Sequence, residues 1–180
     1  MKKLKLLTAV LLICVLLSGC YGTKYVMDRK VEFTSPDNAF SATFPERPSY
    51  RTESRHLGDV SYSMEVYESE GFTRYLCVSY GDRPETFGTE KSIEDITKEL
   101  IDTFAREKGI EILSQNEITL GDHTGMECVM STQNDAGRLV LRIFITEKRI
   151  YFVIAEDRKD KIDSKIITRF LDSFAILEEP

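Results

Sequence analysis

Phe40, Ala42 and Phe44 alternate with Ser41 and Thr43. A period of two is that of a strand with one buried face, and Pro45 and Pro48 close this one after "FSATFPERP". A second strand runs through "VSYSMEVYES", with Tyr62, Met64 and Val66 in phase. Gly71 marks a turn, and "TRYLCVSYG" is a third strand. Two strands joined by so short a turn form an antiparallel hairpin. "GDRPETFG" then reads as a loop.

The period changes at Ser92. Ile93, Ile96, Leu100, Ile101 and Phe104 fall on one helical stripe as far as Lys108. Ser92 is the expected N-cap, with Asp95 three residues on as a capping-box variant. Gly109 supplies the stop, and Glu94 and Lys98 share the wet face. Four strand-like runs follow: Ile110 to Thr119, Gly125 to Thr132, Leu139 to Thr146, and Ile150 to Ala155. The turns between them, "GDHTG", "QNDAG" and "EKR", are short and predict an antiparallel meander. "IYFVIA" is apolar at every position, as in a central strand buried on both faces. From Lys161 to Phe174, Ile162, Ile166, Phe170 and Phe174 are four apart, which predicts a last helix. The order strands, helix, meander, helix gives an α+β domain: a mostly antiparallel sheet of about six or seven strands flanked by helices.

The chain begins with a different pattern. Lys2, Lys3 and Lys5 precede an almost purely apolar run from Leu6 to Leu17. That is about twelve residues, where a spanning helix needs roughly eighteen or more. A basic start, a short apolar run and small residues make a secretory signal. The run ends in Leu17-Ser18-Gly19-Cys20, which resembles the lipobox of bacterial lipoproteins. The resemblance implies a diacylglycerol thioether on Cys20, cleavage just before it, and usually acylation of the new amino group. Residues 1–19 are then the signal peptide, 20–30 the lipidated cysteine and a short polar tether, and 31–180 a single domain. The expected location is the bacterial envelope, on the outer face of the cytoplasmic membrane or on the outer membrane.

Charge narrows the partners. Of 24 basic residues three lie in the leader, so the mature chain has 21 against 30 acidic, a net charge of −9. No basic patch with interleaved aromatics appears, so nucleic acid is not an expected partner. Anionic headgroups would repel such a surface, which leaves contact with the membrane to the acyl chains. Cys14 leaves with the signal. Cys77 and Cys128 remain, 51 positions apart, a candidate disulfide pair in an exported protein. Two buried free thiols on different strands are the other reading, which the alternation slightly favours.

Catalytic raw material is sparse. His56 and His123 read as solvated loop residues, and neither has a partner at metal-ligand spacing. Cys77 and Cys128 lie mid-strand, where thiols are inert. The helix carboxylates Glu94, Asp95, Glu99 and Asp102 suit a solvated face near a helix N-terminus rather than a metal. No Gly-x-Ser-x-Gly, phosphate loop or dinucleotide fingerprint occurs, and no cofactor is expected. Tyr62, Tyr67, Tyr75, Tyr80 and Tyr151 read as core and sheet material by default, with an exposed recognition stripe as the alternative.

The Phe40, Phe44, Pro45, Pro48 opening, a helix after the first strands, and an apolar strand followed by "RFLDSFAIL" resemble the PsbP-like superfamily. The likeness runs from about Val31 to Leu177. It implies an α-β-α sandwich and transfers no catalytic motif. Members include an extrinsic photosystem subunit, a transport factor that binds a small GTPase, and many bacterial lipoproteins. The expectation is therefore a non-enzymatic, membrane-anchored envelope lipoprotein that binds another envelope protein. The rival is a small-ligand binder or hydrolase with a pocket between sheet and helix.

Overall fold

The computed structural model describes residues 30–71, 74–89, 91–132, 137–157 and 165–177. The signal segment, Cys20 and the tether up to residue 29 lie outside the described residues, as do residues 161–164 of the expected last helix. Among the described residues ten strands and two helices follow in chain order. Five strands come first: β1 (Val31–Thr34), β2 (Phe40–Phe44), β3 (Ser49–Leu57), β4 (Val60–Glu70) and β5 (Arg74–Asp82). Helix α1 (Ile93–Lys108) leads to β6 (Ile112–Leu120), β7 (His123–Ser131), β8 (Arg138–Ile145) and β9 (Arg149–Asp157). Helix α2 (Lys165–Ser173) and β10 (Ala175–Ile176) close the domain.

Seven strands form one antiparallel sheet in the order β3-β4-β5-β9-β8-β7-β6, and β1-β2-β10 form a small second sheet. The meander from β6 to β9 therefore runs back across the sheet and docks β9 on β5. β9 is the central strand, and Ile150 to Ala155 are all buried. Ile150, Phe152 and Ile154 face α1, while Tyr151, Val153 and Ala155 face α2 and the small sheet. The layers are α1, then the large sheet, then α2 beside the small sheet.

Local chemistry sets the ends of α1. Ser92 accepts from the Asp95 N–H at 3.1 Å, and Gly109 takes φ 64°, ψ 40°. That left-handed conformation costs glycine nothing and other residues about 1–2 kcal/mol. Lys98 and Glu94 meet at 2.6 Å on the wet face. Ile96, Leu100, Ile101 and Phe104 are buried on the sheet, each contributing about 1.5–3 kcal/mol by leaving water.

The Phe40–Phe44 strand exists, but it belongs to the small sheet, and the seventh strand of the large sheet is β3 instead. β3 reads "SYRTESRHL" and buries only its last residue. An edge strand with so little apolar surface carries no alternation to detect. Residues 31–34 and 175–176 are also strands, too short to show a period.

The candidate disulfide is not formed. Cys77 and Cys128 are free and buried. Cys77 pairs with Ile154, Ile154 with Leu141, and Leu141 with Cys128. The two cysteines thus end one row across four strands, about 14 Å apart at roughly 4.8 Å per strand, well beyond the ~7 Å limit for a bridge. Burial pushes the Cys77 thiol up to about 12 and that of Cys128 up to about 11. Without reductant, both cysteines should resist iodoacetamide in the native protein and both should label after unfolding, as peptide mass spectrometry would show. Failure of either to label after unfolding would contradict the ladder.

Candidate functional site

Helix α1 does not cover the whole of its sheet face. It ends at Lys108, and the chain leaves through Gly109 toward the β6 edge. Beside the helix end, a groove of about 670 Å³ opens onto the sheet. Tyr75, Leu139 and Ile154 line it from the sheet, and Phe104, Lys108 and Ile110 from the helix side. Its opposite wall consists of long charged side chains from β3 and β4.

That wall is built by strand alternation. Arg51, Glu53 and Arg55 are two apart on β3, so all three project from the same face. Arg51 holds Glu68 with two bonds, 3.1 and 3.2 Å, and reaches Glu53 at 2.5 Å. Arg55 Nε donates to Glu53 at 2.6 Å, and the Arg55 guanidinium lies 5.0 Å from the centre of the Phe152 ring. Tyr75 donates its hydroxyl to Glu68 at 2.6 Å. A smaller hollow of about 240 Å³, touching His56 and Tyr62, shares Glu53, Arg55, Phe104 and Lys108 with the groove.

The protonation states follow. Arg51 hydrogen bonding holds the Glu68 carboxyl below its ordinary range. Burial pushes Glu53 upward, but the bonds and charges of Arg51 and Arg55 outweigh it, and the net direction is down. Burial drives Tyr75 above the usual phenol value, reinforced by Glu68. Near neutral pH these carboxylates are ionised and the phenol is protonated. A general acid or base works best with a pKa near the working pH, which neither glutamate has. The wall suits recognition of a polar or charged group.

On the other face of the sheet, Tyr80 Oη lies 2.9 Å from both Asp37 and Glu65, and Arg149 pairs with Asp37 at 2.8 Å. Burial raises the Asp37 pKa, yet bonds from Ser35, Tyr80 and the Ala39 N–H, with the charge of Arg149, bring it below 3.8. A carboxylate with a depressed folded-state pKa contributes stability that is complete above its unfolded value and lost as pH falls through the folded one. The unfolded references are 4.5 for Glu53 and Glu68 and 3.8 for Asp37. The melting temperature should therefore fall with acid below about pH 4.5. A Glu53→Gln/Glu68→Gln variant should lose part of that slope. An identical slope would show that the Arg51 network adds nothing to stability.

The structure redistributes the residues singled out from sequence. His56 is the exposed penultimate residue of β3 and His123 the half-buried first residue of β7, so both are strand residues and not loop residues. They are not brought together. Among the described residues no group of three or more His, Cys, Asp or Glu is arranged so that it could hold a metal ion. Tyr62, Tyr67, Tyr80 and Tyr151 are buried, in agreement with core packing, while Tyr75 is half-buried and lines the groove, and Tyr50 is 57% exposed. Sequence reading missed Arg51, Glu53, Arg55 and Glu68. The signal was the Arg-x-Glu-x-Arg spacing, which acquires meaning only once residues 49–57 are known to be extended.

No protein-family model matches the chain, and no curated protein sequence does either. Among solved structures, the chain is similar to the solution structure of cyanobacterial PsbP (CyanoP) from Synechocystis sp. PCC 6803. The match has a TM-score of 0.57 at 9% identity, and covers 87% of this chain and 96% of that one. At that identity the likeness speaks for the fold alone: this chain has a PsbP-like fold.

Proposed function

We propose that the protein is a lipid-anchored envelope lipoprotein whose domain binds a partner protein through the groove beside α1 and catalyses no reaction. The observation that carries this reading is the state of the groove's charges. Arg51, Glu53, Arg55 and Glu68 are mutually paired and the two carboxylates stay ionised. Fixed charges around an apolar floor favour recognition over proton transfer. An anchor at Cys20 would hold the domain close to its neighbours and raise its effective concentration toward them.

The test is site-specific photo-cross-linking in the native host. A probe at Glu156, beside the groove, should capture one envelope protein, and a probe at Asp59 in the β3–β4 turn should not. Equal capture from both positions would count against the groove.

A second reading has one observation behind it. The cavity has the volume of a small-ligand site and lies between sheet and helix. A hydrolase or ligand-binding role would show as turnover or thermal stabilisation by a small molecule that disappears in Glu53→Gln.

A further inference from the structure

The two edges of the large sheet are defended unequally. β3 carries Arg51, Glu53, Arg55 and His56. β6 reads "ILSQNEITL", and Glu117 is its single charged residue. Among the described strands, β6 pairs with β7 alone. A register shift between Ile112 and Ser114 disturbs its start, but from Ser114 to Leu120 the ladder is regular. Charge, proline and bulges are what normally blunt a free edge, and an edge without them is a template for another strand. Here the bulge protects only the first residues.

A trough lies alongside that edge on the α2 face, enclosing about 480 Å³. Half-buried Ile118 and Leu120 line it from β6 itself, and Phe144, Leu171 and Phe174 line it from β8 and the α2 end. Gly125, which pairs with both Ile118 and Phe144, makes room for it: any Cβ there would collide with the Phe144 ring. α2 packs on β2 and β9, so the β6 end of this face is left open. Arg142 is already committed to Glu127 at 2.8 Å and to the Leu171 carbonyl at 2.7 Å. The other charged side chain at the trough, Asp172, is acidic, and so is Glu117, which borders the trough from the edge strand but alternates to the opposite face from Ile118 and Leu120.

We propose that β6 is a strand-addition site for an extended segment of a partner protein with alternating apolar residues and at least one Lys or Arg. Main-chain bonding to the edge would supply affinity, and the trough would accept alternate apolar side chains. A basic residue on the added strand's other face would meet Glu117, an opposite-charge cross-strand pair. Two copies of this acidic chain would meet with like charges instead. The site is distinct from the groove beside α1 and stands whether or not that groove binds a protein.

The test is hydrogen exchange on the full chain purified in detergent, with a nine-residue synthetic peptide alternating valine and lysine. The control peptide carries glutamate in place of lysine. Saturable slowing of exchange in β6, absent from β3, is expected with the lysine peptide, which should bind about tenfold more tightly than the control. In Glu117→Lys, an exposed position that threatens no packing, the preference should shrink or reverse. Three results would overturn the proposal: no protection at ~1 mM peptide, protection located on β3 or the groove, or a preference that Glu117→Lys leaves unchanged. Slowing of β6 that grows with protein concentration in the absence of peptide would assign the edge to a second copy and also refute it.

Discussion

Replacing Cys20 by alanine should shift the protein out of the membrane fraction, or leave an uncleaved precursor that still carries its leader. The expectation rests on Leu17-Ser18-Gly19-Cys20 after a basic start and an apolar run. If Cys20 is acylated as proposed, the magnitude is set by the acyl chains, each buried methylene contributing about 0.8 kcal/mol. One chain holds a protein only marginally, whereas two or more hold it stably. Little else would compensate. No helix among the described residues is long and apolar enough to cross a membrane, and residues 20–180 carry a net charge of −9, which anionic lipid repels. Fractionation with intact-mass measurement decides the matter. A mutant that is processed normally and stays membrane-bound would refute lipid anchoring at Cys20.

Phe40→Ala should cost about 3–5 kcal/mol, a large share of the roughly 5–15 kcal/mol that holds a domain together. Phe40 has no exposed surface. Its ring lies 5.4 to 6.0 Å from those of Phe33, Tyr67, Tyr80 and Phe174. It therefore joins the small sheet, the large sheet and the end of α2 at one point, and its removal leaves a cavity with walls from all three. The melting temperature should drop by roughly 10 °C. Tyr50→Ala is the control, because Tyr50 also packs against Tyr67, with ring centres 5.2 Å apart, but is 57% exposed. It should cost less than about 1 kcal/mol. Equal losses in the two variants would mean that the aromatic cluster is not the joint it looks to be.

Sequence alone determined those elements whose burial is one-sided or complete. Phe40–Phe44 and "IYFVIA" declare themselves because alternation or unbroken apolarity is the direct imprint of one buried face or two. α1 was legible to its caps, since Ser92 and Gly109 act on neighbours within a few residues. The closing helix was legible from its four-residue spacing, as its described part, Lys165–Ser173, agrees. Tertiary structure decided what depends on which strands meet. β3 buries almost nothing and is extended because β4 pairs with it through nine registered residues. That pairing aligns Arg51, Glu53 and Arg55 into a wall and brings Glu68 and Tyr75 to it, so the groove could not be read from local pattern. The cysteine row has the same origin. Phase could place Cys128 on an apolar face, but only the strand order, with β9 and β8 lying between β5 and β7, sets the distance that keeps two thiols apart. Local periodicity records how deeply a residue is buried; its partners follow from the long-range ladder, which leaves no periodic trace in the chain.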